Sequence, residues 1–190
     1  GFTFASAMRN FLRHDPDVIM VGEIRDHETA GIAVESALTG HLMLSTLHTN
    51  TAATTVTRLL DLGVEPYLLR ASLLAVMSQR LVRLTCAHCR EVEQVPARIR
   101  EALGVAADEV FHAGRGCAQC EGLGVHGRRA VYELLVMSPR LRELVVPGAE
   151  ADTIHRVAVE EGMVPITQAA VALARSGEIS LSEAWRVRAD

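Results

Sequence analysis

Two groups of residues in this 190-residue chain have types and spacing suited to chemistry. The first is a set of four cysteines in two C-x-x-C pairs, Cys86-Ala-His-Cys89 and Cys117-Ala-Gln-Cys120, with 27 residues (90 to 116) between them. Each pair sets two thiolates on one tight turn, and two such turns can close a tetrahedral sulfur cage. Zinc fits this cage, because a d¹⁰ ion accepts four soft anionic ligands without a geometric demand of its own. The gap is longer than the ~15–20 residues of the common spacing, and a short helix near 96–104 accounts for the excess. Four sulfur ligands leave no position for a catalytic water, so the expected role is structural. Free or redox thiols and an iron–sulfur cluster are the alternatives. His88, inside the first pair, is expected to face solvent from the turn and not to compete as a ligand.

The second group lies in Asp15-Pro-Asp-Val-Ile-Met-Val-Gly-Glu-Ile-Arg-Asp26 and Gly40-His-Leu-Met-Leu-Ser-Thr-Leu-His-Thr-Asn50. Each reads as a buried apolar strand, about 17–22 and 41–47, with polar groups at its end. A helix-length segment between them, about 27–38, suggests a βαβ unit and a parallel sheet. Ligands in such sheets bind beyond the carboxyl ends of the strands, where Glu23 and His48 belong. A carboxylate there can hold Mg²⁺ through water or polarise an attacking water, and an imidazole can meet a phosphate. Arg25 and Asp26 are expected in a polar network beside Glu23, with Asp26 also capping the helix, and Thr46 and Thr49 can support His48 by hydrogen bonds. His41 lies seven residues before His48, up to ~23 Å along a strand, so the two cannot share one phosphate; His41 is expected to be structural or inter-subunit. Asp17 is expected to cap or pair. Arg9 and Arg13, one turn apart on the opening helix, read either as solvated residues or as site residues.

Beyond these segments, Thr51 to Leu62 reads as a helix ended by Gly63. Pro66 opens a helix expected to run to about Leu84. Composition changes at Cys86, where an insertion with Gly-rich turns extends to about Gly127. Arg129 to Val136 reads as a returning strand, and 138–190 as three or four helices, including 151–161, 166–176 and 181–187. The expected division is therefore 1–85, 86–127 and 128–190. Hydrophobic residues make up 49% of the chain, enough for a core, and the formal net charge of −4 argues against a general nucleic-acid binder. No apolar run reaches the ~18 residues of a membrane span, and no signal peptide is visible. A cytoplasmic protein is expected, and cysteines there suggest metal before disulfides.

The segment Asp17 to Asp26 resembles the Walker B region, and Gly40 to Asn50 the histidine box, of the secretion ATPases, the motors of type II secretion and type IV pilus assembly. The resemblance continues through Arg58-Leu-Leu-Asp-Leu-Gly-Val-Glu-Pro-Tyr67, Gln79-Arg-Leu-Val-Arg83, Gly127-Arg-Arg-Ala-Val-Tyr-Glu-Leu-Leu135 and Trp185-Arg-Val187, and so covers almost the whole chain. It is strongest to the type II secretion ATPase, the general secretion pathway protein E family. Pilus-assembly ATPases are close behind, and both carry a tetracysteine element at this position; retraction ATPases lack it. The resemblance implies an α/β fold: the C-terminal part of a RecA-like P-loop ATPase domain with a tetracysteine zinc insertion and a helical C-terminal subdomain. It implies ATP and Mg²⁺ as ligands of Glu23, Arg25 and His48, with Glu23 and His48 catalytic, and Zn²⁺ on Cys86, Cys89, Cys117 and Cys120. It also implies a hexamer, inner-membrane secretion-platform partners and a peripheral place on that membrane. One feature departs from the family pattern: no G-x-x-x-x-G-K-[ST] occurs, and all 19 Lys-plus-Arg positions are Arg. The chain is therefore expected to be the C-terminal part of a longer subunit and not to hydrolyse ATP alone. A non-catalytic zinc-stabilised docking module is the alternative of another class.

Overall fold

A computed structural model describes residues 3–188. It is an α/β structure of two compact units. One contains the residues up to Val76 together with Leu134–Met163; the other contains Met77–Glu133 and the residues from Val164 onward.

In the first unit, α1 (Phe4–Phe11) starts at a capping box in which the Ser6 amide donates to Thr3 Oγ1 and the Thr3 amide to Ser6 Oγ. Ala5 and Met8, one turn apart, are its buried positions. Then follow β1 (Val18–Val21), α2 (His27–Leu38) and β2 (Leu42–Ser45). The two strands pair in parallel, Val18 with Leu42 through Val21 with Ser45, so the expected βαβ unit is present. Its strands are not buried on both faces as expected. Ile19 and Val21 pack with Ala5, Met8, Ile32 and Ala33, whereas Val18, Met20, Leu42 and Leu44 are exposed. Only one face of this two-stranded sheet is covered by helices among the described residues.

Helix α3 (Ala52–Asp61) begins at a Thr51/Thr54 capping box, and α4 (Pro66–Ser72) follows. The helix expected to reach Leu84 stops at Ser72, and β3 (Ala75–Thr85) takes its place. The stretch carries both periods. Leu74, Met77, Leu81 and Leu84 repeat as on a helix, while Val76, Ser78, Arg80 and Val82 alternate as on a strand, and this second set is the more covered. No Gly or Pro marks the break, and pairing with a distant strand, β6, decides the outcome. Helices α6 (Pro139–Glu143) and α7 (Ala151–Glu160) complete this unit. Leu141, Ile154 and Val157 pack there with Val34, Val56, Leu59 and Leu69.

The second unit holds β4 (Arg90–Val92), α5 (Ala97–Ala102), β5 (His112–Gly114), most of β3 and β6 (Val125–Val136), and helices α8 (Ile166–Arg175) and α9 (Leu181–Arg186). The two strands expected at neither 90–92 nor 112–114 form an antiparallel ribbon. Phe111, 1% exposed, centres a core with Val82, Val131, Ile166 and Ala170. Two buried carboxylates tie helix ends to strands. Glu133, 1% exposed, accepts the Ile166 amide at 3.0 Å. That amide opens α8 directly after Pro165, which offers no side-chain cap, so the carboxylate meets both a free donor and the positive helix end.

Glu183 in α9 accepts the Arg83 amide of β3 at 2.7 Å and binds the Arg83 and Arg186 guanidinium groups at 2.7 and 2.6 Å. Burial opposes its ionisation, but the two arginines and the amide outweigh that and bring its carboxyl down to about 2 from 4.5. A folded-state pKa below the unfolded one gives stability that is full above the unfolded pKa and is lost as pH falls through the folded one. Unfolding by urea, followed by fluorescence of Trp185 (the single tryptophan, two residues along), should therefore show stability falling from about pH 5 towards pH 2. Glu183→Gln should flatten this acid limb and cost about 2 kcal/mol at neutral pH, the scale of hydrogen bonds to a charged group. An unchanged acid limb would remove Glu183 as its source.

Candidate functional site

The polar end of the βαβ unit is built by main-chain geometry first. The Ile24 amide donates to Thr46 O at 3.0 Å and Thr46 Oγ1 to Gly22 O at 2.7 Å, which carries the β1–β2 pairing past the last strand residues. Glu23 and His48 are thereby brought side by side from positions 25 apart. His48 Nε2 lies 3.1 Å from Glu23 Oε2, and Arg25 Nε donates to the same oxygen at 2.5 Å. The three side chains differ in access: Glu23 is 21% exposed, Arg25 70% and His48 82%. The Arg25 hydrogen bond, more than the opposing desolvation, holds the Glu23 carboxyl below the usual carboxylate range, with His48 adding to the effect. The group is thus a carboxylate at neutral pH with two exposed nitrogen partners.

The neighbouring residues have separate tasks. Asp26 caps α2, with the Thr29 amide donating to Oδ1 at 2.8 Å and the Thr29 hydroxyl to Oδ2 at 3.1 Å. Thr49 Oγ1 contacts Thr55 Oγ1 at 2.6 Å, fixing the loop after His48 to α3. His41 stands just before β2, with Nδ1 3.0 Å from Ser36 O and 3.1 Å from Thr39 Oγ1, at the turn closing α2. Arg9 pairs with Glu28 at 2.9 Å on an exposed surface. The Asp17 carbonyl accepts the Leu42 amide at 2.9 Å, at the start of the strand pair and away from the end that carries Glu23. Past Thr49 and Asn50 the chain lines an open depression of about 280 Å³ with Thr54, Thr57, Arg58 and Asp61. Sequence reading passed over it because these residues sit at ordinary helical spacing along α3.

The cysteines form the second constellation. Their four sulfur atoms all lie within 4.8 Å of one another. Cys86–Cys117, Cys89–Cys120 and Cys117–Cys120 are 3.9, 3.8 and 3.8 Å apart. Sulfurs at about 2.3 Å from a tetrahedral centre would be about 3.8 Å apart, whereas a disulfide needs about 2.05 Å. The donor set and its spacing therefore fit zinc. Backbone amides point at the sulfurs, from Gly116 to Cys89 at 3.3 Å and from Cys117 and Gly124 to Cys120 at 3.2 Å each. Burial opposes ionisation of Cys120, yet those amides bring its thiol down to about 6. Burial pushes the Cys89 thiol up to about 12. The glycines let the two arms of the second turn close on each other: a Cβ on Gly114 would stand 2.0 Å from Gly124 O. His88 is exposed and outside the sulfur cluster.

The first unit thus carries a carboxylate, a guanidinium and an imidazole clustered at the ends of a parallel strand pair, and the second unit carries four cysteines whose spacing fits a metal. Residues 1–186 match the family described as type II/IV secretion system protein, and the chain belongs to that family. It is 48% identical over 188 residues to the type IV pilus assembly ATPase PilB of Thermus thermophilus, across 96% of this chain and 21% of that protein. It is 51% identical over 152 residues to the type II secretion system protein E of Klebsiella pneumoniae, across 80% of this chain and 31% of that protein. Among solved structures, the pilus retraction motor PilT with bound ADP superposes with a TM-score of 0.68 at 29% identity, across 99% of this chain and 44% of PilT. The chain spans less than half the length of each of these proteins.

Metal analysis of the purified chain should find about one zinc per chain, the stoichiometry of a single four-sulfur cage. Cys86→Ser should lower that content and speed hydrogen exchange in 86–127 more than in β1 and β2. A folded chain free of metal, or a uniform rise in exchange, would count against a zinc-built module.

Proposed function

We propose that this chain is the C-terminal part of a ring-forming ATPase subunit that hydrolyses ATP to drive pseudopilus assembly and protein export by type II secretion. The observation that carries this reading is the Glu23–Arg25–His48 cluster at the carboxyl ends of two parallel strands, within a family whose relatives bear the name ATPase. Glu23, ionised and partly covered, is suited to hold Mg²⁺ through water or to orient the attacking water. His48 and Arg25, both exposed, are suited to meet phosphate oxygens. ATP with Mg²⁺ would supply the reacting phosphate and its charge neutralisation. The four cysteines would hold Zn²⁺ as a structural ion. A glycine-rich loop with its lysine, which this sequence does not contain, would come from elsewhere in the longer subunit.

The same reading gives the partners: identical subunits in a hexamer and an inner-membrane secretion platform, with the protein cytoplasmic and peripheral. No helix among the described residues is long and apolar enough to cross a membrane. Type IV pilus assembly is the second reading, favoured by the 48% identity to PilB across 96% of the chain. Deleting the gene and scoring secreted protein against surface pili separates the two. Loss of export with pili intact supports the first, and the reverse supports the second. If both persist, neither reading stands.

In the complete subunit, Glu23→Gln should reduce ATP turnover by roughly 10²-fold or more, the usual weight of a positioned acid–base group, while leaving far-UV circular dichroism unchanged. His48→Ala should lower turnover as well, with weaker nucleotide binding. Wild-type hydrolysis by the Glu23→Gln subunit would refute the assignment.

A further inference from the structure

The β4–β5 ribbon is only three residue pairs long, and its two ends hold different things. At one end are the sulfurs. Cys89 directly precedes Arg90 of β4, which registers with Gly114 of β5, and Cys117 follows three residues later. The Arg115 amide donates to Cys89 O at 3.0 Å and the Gly116 amide to Cys89 Sγ, so the ladder runs into the cage. At the other end is Glu93. Its amide donates to Phe111 O at 2.8 Å, extending the ribbon towards the core. Its carboxylate accepts the Leu181 amide at 2.7 Å and the Ser182 amide at 3.0 Å. These are the first two amides of α9.

A helix of six residues does not persist in water by itself, so α9 depends on its caps and contacts. Ser180 Oγ meets the Glu183 amide, and Glu93 meets the two before it. Helix α9 then carries Glu183 to the Arg83 amide of β3. Strand β3 runs straight into Cys86, whose amide donates to Gly124 O. The circuit from cage to ribbon to helix to strand thus returns to the cage.

We infer that metal held by the four cysteines is linked, through the β4–β5 ribbon and the Glu93 carboxylate, to the folding of α9. Loading the cage orders residues 180–187, and releasing the metal loosens them. The inference rests on the metal reading above, so metal content is measured first on the same sample. Linkage is reciprocal, so the factor by which metal favours folded α9 is the factor by which folded α9 favours metal, and a weaker Glu93 cap lowers metal affinity.

The test is hydrogen exchange of the whole chain with its zinc bound and after removal by a chelator, in wild type, Glu93→Gln and Glu93→Ala. In wild type, metal removal should speed exchange in 180–187 by roughly 5- to 150-fold, the usual span of a coupling between sites, with α7 unchanged. Glu93→Ala should still bind about one zinc, but more weakly by competition, with fast exchange in 180–187 before any chelator is added and no further rise after it. Glu93→Gln keeps one acceptor oxygen and should fall between the two; it supplies the same readout if the alanine variant does not fold. A chain without zinc defeats the metal reading and this inference with it. A zinc-bound chain whose 180–187 stay protected on metal removal, or lose protection only together with α7, defeats the linkage alone. So does a wild-type response in both variants.

Discussion

The parallel register of β1 against β2 is the constraint on which the first unit depends. Val18 opposite Leu42 leaves Val21 opposite Ser45, and two further hydrogen bonds carry the pairing to Gly22, Ile24 and Thr46. A shift of one residue would send every side chain to the other face. It would remove Ile19 and Val21 from α1 and α2 and part Glu23 from His48. The same register therefore fixes a packing decision and a chemical one. The helices serve it from outside. The side-chain caps at Thr3, Asp26 and Thr51 set where α1, α2 and α3 begin, and so how long the intervening segments are.

The second unit solves a different problem. Its strands are short or long ribbons with few partners, and its helices α5 and α9 have six residues each. Such elements bury little apolar surface apiece. Carboxylates supply the joints instead: Glu133 on the first amide of α8, Glu93 on the first amides of α9, Glu183 on β3, and Glu109 on Arg175 and the Ala106 amide. Each fills donors that a short helix or loop would leave open, and each acts over a long sequence separation or at a turn. The sulfur cluster is the joint of the same kind at the far end of the ribbon.

Local signals made much of this legible in the sequence. Helix α2 occupies the residues expected from Asp26 and Gly40, and the C-x-x-C turns do bring their sulfurs together. The positions of Glu23 and His48 were legible because each lies a few residues or fewer past an apolar strand, where the strand end and the polar group are one signal. What escaped was set by distant partners. The stretch 75–85 has helical and strand periods at once, and only β6 resolves it. The β4–β5 ribbon is too short for a periodic pattern. Glu93, Glu133 and Glu183 look like surface glutamates in the sequence, since nothing nearby shows that the amides of 166, 181 or 83 will need an acceptor.

The strand-end cluster has an electrostatic asymmetry that bears on the proposed chemistry. Glu23 is the covered member, and among the described residues its carboxylate meets Arg25 and His48, both mostly in water. Such partners are weakly held, because solvent screens them and their own side-chain freedom competes. A divalent cation carries twice the charge in a smaller volume, and Glu23 would hold it in competition with these two nitrogens. The guanidinium and imidazole would then be available to phosphate oxygens. The carboxyl held below its ordinary range completes this logic: no proton has to leave before a metal arrives. A pair buried on both sides would be tighter in the empty site and poorer at exchanging partners, because separating it would leave a charge in apolar surroundings. Exposure of Arg25 and His48 therefore suits the cluster to exchanging partners.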